Sequence, residues 1–307
     1  MIQGRAGWIL RAIAAGLILG FAVLDSSGGS SRASGNFGSS GNLPDLPPPL
    51  STRDTGKDSA SVTSHNGLDP ARWRNLPEIP AVSQHAREIY ELGQSLGNDP
   101  NAFSIFGDCQ SLPEVFLGMY VTDKKMFSSL PADLQETVTH FRGSLNRSSP
   151  TSKDGTTSGA LLWEKWHENK FDCTRAETPM DCELRQHNPS FVLIMVGTHW
   201  EGARNEYYLR IILDALLERG VLPILSTKAD NREGDNSLNL QAAELAAEYD
   251  LPLWNFWTVV NDLPNRGLYT KETERRLGDI YLTDQALALR RFSALRLLDA
   301  IWRAVAN

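Results

Sequence analysis

Phe191-Val192-Leu193-Ile194-Met195-Val196 is an unbroken apolar run, and the residues after it decide the fold. Gly197-Thr198 closes the run. A stretch from about Asn205 to Arg219 then carries Leu209, Ile212 and Leu216 at helical spacing, and Gly220 ends it as a C-terminal glycine commonly does. A second apolar run, Val221 to Ser226, follows at once. Two continuous apolar runs joined by an amphipathic helix read as parallel strands buried on both faces, linked by a crossover helix.

The same alternation extends outward. Ala102 to Phe106 reads as a first strand ended by Gly107-Asp108, and Thr137 to Leu145 as a weaker strand. A helix is expected near Leu238 to Tyr249 and a short last strand at Leu251 to Phe256. A long helix is expected from Asp284 to Ala306, with Thr283 as its N-cap. Its apolar stripe is read as Ala288, Phe292, Leu295, Leu298, Trp302 and Val305. The pattern predicts an α/β fold, a doubly wound parallel sheet in a three-layer α/β/α sandwich of flavodoxin-like type. Ligands bind such sheets at the carboxyl ends of the strands. The informative loops are therefore Gly107 to Leu112, Arg147 to Gly159, Gly197 to Arg204, Thr227 to Asp235 and Asn261 to Thr283.

The folded part is expected over residues 67–307. Before it, Arg5 and Arg11 flank an apolar run from Ala12 to Leu24, thirteen residues long. That is short for a membrane span but fits the core of a signal peptide. Counted back to Ala6, with Arg11 snorkelling to the interface, it reads as an uncleaved anchor. Residues 1–24 are read as a signal peptide or N-terminal membrane anchor. Residues 25–66, rich in Ser, Gly, Pro and Asp, cannot bury enough apolar surface to offset their chain entropy and read as a disordered linker. Anchor and linker together place the domain outside the membrane. Three cysteines suit that compartment. Cys173 to Cys182 is the favoured disulfide, leaving Cys109 as the odd thiol, while the other two pairings stay open.

With 41% apolar and 22% charged residues the composition is that of a globular protein, and a formal charge of -7 argues against sequence-independent nucleic-acid binding. Neither a G-x-G-x-x-G nor a G-x-x-x-x-G-K-[ST] loop occurs, nor H-E-x-x-H or C-x-x-C, so no cofactor and no metal is expected.

The loop after the first strand reads Gly107-Asp108-Cys109-Gln110-Ser111. A nucleophile placed there, ahead of a helix, gains from the helix N-terminus. In this loop the chain resembles the SGNH/GDSL hydrolases, whose first block is Gly-Asp-Ser. The resemblance extends over about Asn101 to Asn307. It implies the SGNH-hydrolase type of α/β sandwich and acyl-ester hydrolysis or acyl transfer, with carbohydrate or other small-molecule esters as substrates. It makes Cys109 the nucleophile. It gives the second-block oxyanion glycine to Gly155, with Gly159 as the alternative. In the third block, Gly197-Thr198-His199-Trp200 carries His199 where the family has its oxyanion Asn. The last block departs further. Setting Leu282-Thr283 in the family register puts Tyr281 where the catalytic His belongs and Gly278 where the Asp belongs, with Asp279 one residue off.

No His follows His199, so the family's general base is missing. Losing one triad member lowers turnover by roughly four to six orders of magnitude. A thiol at a helix N-terminus partly escapes that loss, because some thiolate forms without a base. Three residues could take over proton transfer: His199 as a base, Asp279 as an activator of water, and Tyr281 as an acid. The competing reading is a non-catalytic pseudo-hydrolase that holds a glycan or a partner protein, with Trp163, Trp166 and Trp200 as a stacking surface. A flavodoxin-like cofactor binder has no supporting motif.

Overall fold

The computed structural model describes residues 67–198, 204–270 and 280–306. The segments read as signal or anchor and as linker lie outside these residues, as do His199, Trp200, Gly278 and Asp279. Among the described residues, no helix is long and apolar enough to cross a membrane.

Four strands, β1 (Asp99–Gly107), β2 (Pro189–Met195), β3 (Leu222–Ser226) and β4 (Leu253–Trp254), form one parallel sheet in the order β1-β2-β3-β4. The main helices are α1 (Gln84–Leu96), α2 (Ala132–His140), α3 (Pro179–His187), α4 (Asn205–Glu218), α5 (Ser237–Glu248) and α6 (Asp284–Ala306). The outer side of β1 is also used. Gly107 donates its N–H to the Thr151 carbonyl at 3.1 Å and accepts from the Lys153 N–H at 3.2 Å, making a parallel bridge to Ser152. Both neighbours of β1 thus follow it in sequence, and the winding reverses there. In such a sheet the ligand crevice opens outside the carboxyl end of the strand at the reversal.

Side chains alternate across a strand, which shows that both faces are covered. Phe103 and its register partner Phe191 lie on one face, where Phe191 stacks on Tyr90 of α1 at 5.4 Å and Phe103 meets Phe141 edge-on at 5.5 Å. Ser104, on the opposite face, donates to Glu183 of α3. Every residue of β2 is buried, as its unbroken apolar run requires. On the Phe191 side, α6 is tied to α2 through Thr137 Oγ1 on Asp299 (2.7 Å). Arg87 of α1 donates to the Ala304 carbonyl. On the other side, Arg210 of α4 pairs with Glu248 of α5 at 2.7 Å, and Arg219 with Asp181 of α3 at 3.2 Å.

Two expectations change. The segment Thr137 to Leu145 is helical, covering the end of α2 and a short turn, Arg142–Leu145. Counted with Leu134 before it, the buried residues Val138, Phe141 and Leu145 recur every three or four positions, the helical spacing, and Phe141 meets Phe103 of β1. The stripe of α6 is buried as expected at Leu295, Leu298 and Val305 but differs at its start. Ala288 and Phe292 are exposed, and the buried row runs through Ala286, Arg290, Ala294, Leu297 and Ile301. Arg290 falls inside the core-facing row because its guanidinium serves the loop after β1.

Cys173 and Cys182 form a disulfide with a Cα–Cα distance of 5.3 Å, and Cys109 is free. Closing so short a loop stabilises the fold by roughly 2.5 kcal/mol in the chain-entropy model.

Candidate active site

The loop after β1 turns sharply. Asp108 caps a three-residue 3-10 turn, Cys109–Ser111, accepting the Gln110 N–H at 2.9 Å. A Cβ on Gly107 would stand 2.4 Å from Ser111 Oγ, so the loop can fold back only on a glycine. The helix expected after Cys109 is therefore a single short turn, whose dipole is too small to draw the thiol towards thiolate.

Arg290 holds this turn from behind. Fully buried, it donates to the Gln110 carbonyl, to Ser111 Oγ at 3.2 Å and to Met195 Sδ at 3.3 Å, and its guanidinium lies 4.6 Å from the centre of the Phe116 ring. Burial brings its pKa down to about 10, against the opposing pull of the Asp108 charge. It stays cationic at neutral pH.

Gln110 fixes the opposite wall. Its Nε2 donates to the Ile280 carbonyl at 3.2 Å, and its Oε1 accepts the Leu282 N–H at 3.3 Å. Tyr281 is thereby clamped between two bonded neighbours. Its carbonyl also accepts the Tyr269 N–H at 2.9 Å. Thr283 caps α6 as expected, its Oγ1 accepting the Ala286 N–H at 3.3 Å.

The third element is the turn Lys153–Thr156, closed by the Thr156 N–H on the Lys153 carbonyl at 3.2 Å. Gly155 sits at its third position with φ +76°, a conformation that suits glycine in such turns. A Cβ there would touch the Trp166 ring at 3.8 Å. Trp166 Nε1 donates to Thr156 Oγ1 at 3.3 Å, and Lys153 Nζ lies 4.5 Å from the centre of that ring.

These three elements converge on Cys109. The Asp154 carboxylate and the Tyr281 hydroxyl are the neighbouring side chains that act on its thiol. Burial, then the negative charges of Asp108 and Asp154, then the bond to Asp154, push the thiol up to about 12; the Tyr281 bond opposes them. The Tyr281 phenol is likewise pushed up to about 12, by burial and then by Cys109 and the two aspartates. Both groups are protonated at neutral pH. In that state Tyr281 has an O–H to offer sulfur, and the Cys109 S–H is the donor open to the Asp154 carboxylate. Burial and the two carboxylates thus work against the thiolate expected to form without a base.

Beside this cluster the crevice between β1 and β3 is lined by Asp108, Gln110, Met195, Thr198, Lys228 and Asp230, and its volume of about 30 Å³ holds only one or two waters. On the β3 rim Lys228 Nζ is clamped by Asp230 at 2.7 Å and Glu233 at 2.6 Å. Thr198 Oγ1 donates to Asp230 Oδ2 at 3.0 Å. Among the described residues, no group of His, Cys, Asp and Glu could hold a metal ion.

The structure thus brings together Cys109, Gly155 and Tyr281 of the residues named from sequence, while His199 and Asp279 lie outside the described residues. It adds Asp154, Gln110 and Arg290. Asp154 was visible only as the neighbour of Gly155, and Arg290 as a charge in an apolar helix.

No family model and no curated protein matches the sequence. The chain is similar to solved GDSL-like lipases and esterases. A GDSL-like lipase from Bacteroides thetaiotaomicron aligns at 15% identity over 72% of this chain and 100% of that one, with a TM-score of 0.42. An acylhydrolase from Bacteroides fragilis aligns at 15% identity over 75% and 99%, with a TM-score of 0.43. A psychrotrophic esterase from a Pseudoalteromonas species aligns at 16% identity over 67% and 100%, with a TM-score of 0.41. Likeness at this level assigns no residue a role.

Proposed function

We propose that this protein is an SGNH/GDSL-type acyl-ester hydrolase or acyltransferase, acting outside the membrane on small-molecule or carbohydrate esters, with the covalent thiol route strongly suppressed. The observation that carries the reading is the convergence of Asp154 and Tyr281 on Cys109 at the carboxyl end of β1, where the winding reverses. Ligand chemistry in such sheets is placed there. The Cys173–Cys182 disulfide supports an oxidising compartment, in keeping with the signal-like or anchor-like residues 1–24 and the linker.

The suppression is quantitative. A thiol at about 12 is ionised at neutral pH roughly a thousandfold less than an ordinary one. Thiolate attack on an ester is correspondingly rare. The protonated thiol also favours a second reading, a pseudo-hydrolase that holds a glycan. In that reading the half-exposed Trp163 and the Trp166 ring beside Gly155 supply the stacking surface.

Release of p-nitrophenol from short-chain esters separates the two. The hydrolase reading expects slow, continuous turnover that saturates with substrate and has no stoichiometric burst. Absence of release above the buffer rate across acetyl, butyryl and acetylated-sugar esters contradicts it and leaves glycan binding, measured by calorimetry, as the function.

A further inference from the structure

We propose that Gln110 is a positioning residue of this site: its side-chain amide sets the register of residues 280–282 against the turn that carries Cys109, and Arg290 fixes the backbone from which it does so. The proposal rests on the hydrolase reading above and names what holds the two halves of that site together.

The backbone of Gln110 is held first. Gln110 is the middle residue of the turn Cys109–Ser111. Its N–H is capped by Asp108 Oδ1 at 2.9 Å, and its carbonyl accepts from the buried Arg290 guanidinium. The next residue is held by the same two partners. The Ser111 N–H reaches the Asp108 carbonyl at 3.0 Å, and Ser111 Oγ accepts from Arg290 at 3.2 Å. The Gln110 side chain therefore starts from a fixed point.

That side chain spends both ends of its amide on one stretch of chain. Nε2 donates to the Ile280 carbonyl at 3.2 Å, and Oε1 accepts the Leu282 N–H at 3.3 Å. In an extended chain the carbonyl of one residue and the N–H two residues on point to the same side. A parallel neighbouring strand bonds such a pair through the N–H and C=O of a single residue. The Gln110 amide takes the place of that residue. The other side of the stretch is bonded to backbone: the Tyr269 N–H on the Tyr281 carbonyl at 2.9 Å, and the Thr283 N–H on the Gly267 carbonyl at 2.8 Å. A slip of one residue would turn the wrong backbone groups towards the amide, so the paired bonds fix the register at Tyr281.

The connections close into a ring. Thr283 caps α6, and Arg290 follows two helical turns later, about 10 Å along the axis. Its guanidinium returns to the Gln110 carbonyl. The path from Gln110 through Leu282, along α6 and back through Arg290 is continuous, so the turn and the start of α6 move as one body. Tyr281, between the two bonded residues, is one of the side chains that act on the Cys109 thiol. A misplacement of about 1 Å in a reacting site costs on the order of a hundredfold in rate. Gln110 thus acts on rate through what it holds.

The test uses the full-length protein with Gln110→Met and Gln110→Glu. Hydrolysis of p-nitrophenyl acetate is followed as acetate released, from neutral pH down to about pH 4.5, with a thermal melt at each pH and amide hydrogen exchange at neutral pH. Methionine matches glutamine in length and makes neither bond. Gln110→Met should lose about ten- to a hundredfold in kcat with KM within about threefold of wild type, melt within about 5 °C of it, and exchange the Leu282 N–H at least about tenfold faster. Gln110→Glu should lose a similar factor at neutral pH, where a carboxylate oxygen faces the Ile280 carbonyl. Its kcat relative to wild type should recover as pH falls to about 4–5, because a protonated carboxyl again offers one donor and one acceptor. A merely structural role predicts no such recovery, and the Glu variant carries the test alone if the Met variant does not fold. If a folded Gln110→Met keeps kcat within about threefold of wild type, or if Gln110→Glu shows no recovery, the proposal is overturned while the hydrolase reading stands. If wild type turns over no ester, the hydrolase reading fails. The exchange of Leu282 then decides the register alone: faster exchange in Gln110→Met supports it, and unchanged exchange overturns it.

Discussion

On the β3 rim of the crevice, Lys228 is clamped between Asp230 and Glu233 at 2.7 and 2.6 Å, with all three side chains largely buried. On the β1 rim, Cys109 stands with Asp154 and Tyr281 as a neutral, partly exposed thiol. The first rim spends its charges on each other. Taking these charges out of water is costly, and their mutual attraction offsets that cost only while all of them are present. The second rim sets a carboxylate beside two weak acids that burial and neighbouring negative charge keep protonated. The difference separates polar residues held by mutual charge from polar residues held neutral.

The largest effect that would break the comparison is on the scaffold rim. Lys228→Met leaves Asp230 and Glu233 buried without their cation and should destabilise the fold by about 3–5 kcal/mol, read by denaturant unfolding. A loss under 1 kcal/mol would show that the β3 rim is no more tightly held than the β1 rim. On the β1 rim, Asp154→Asn removes a carboxylate charge that holds the thiol protonated. Alkylation of Cys109 by iodoacetamide should then speed up by about tenfold at a fixed pH, one pKa unit's worth. Tyr281→Phe removes the one bond that favours thiolate, and should slow alkylation by about fivefold, the value of a modest hydrogen bond. Opposite signs for these two variants would sharpen the assignment of donor and acceptor; the same sign for both would undo it.

Much of this was legible from residues alone, and the remainder has identifiable causes. The runs Phe191 to Val196 and Val221 to Ser226, with the helix between them, gave the parallel sheet because burial on both faces leaves no polar position in a strand. Thr137 to Leu145 was misread as strand because β-branched and aromatic residues there outweighed a helical spacing visible only once Leu134 was included. The positions of Cys109, Gly155 and Tyr281 followed from the family resemblance, and both Tyr281 and Asp154, the neighbour of Gly155, act on the Cys109 thiol. Asp154 was missed because a lone Asp in a Ser/Thr-rich loop has no periodic or spacing signal; only the turn at Gly155 and the bridge at Ser152 bring it to the thiol. Gln110 and Arg290 were missed for a related reason. Their work is to join segments about 170 and 180 residues apart, and sequence spacing does not report such contacts.

The protonation state of Cys109 is the central claim, and the protein offers a clean way to read it. Cys109 is the one free thiol, since Cys173 and Cys182 are bonded to each other. Its alkylation rate against pH, followed by mass spectrometry, reports the thiolate fraction directly. With the thiol pushed up to about 12, the rate should start low at pH 7 and climb close to tenfold per pH unit through pH 10 without levelling. A plateau reached by pH 8 would mean that Cys109 ionises readily, and would return it to the role of nucleophile.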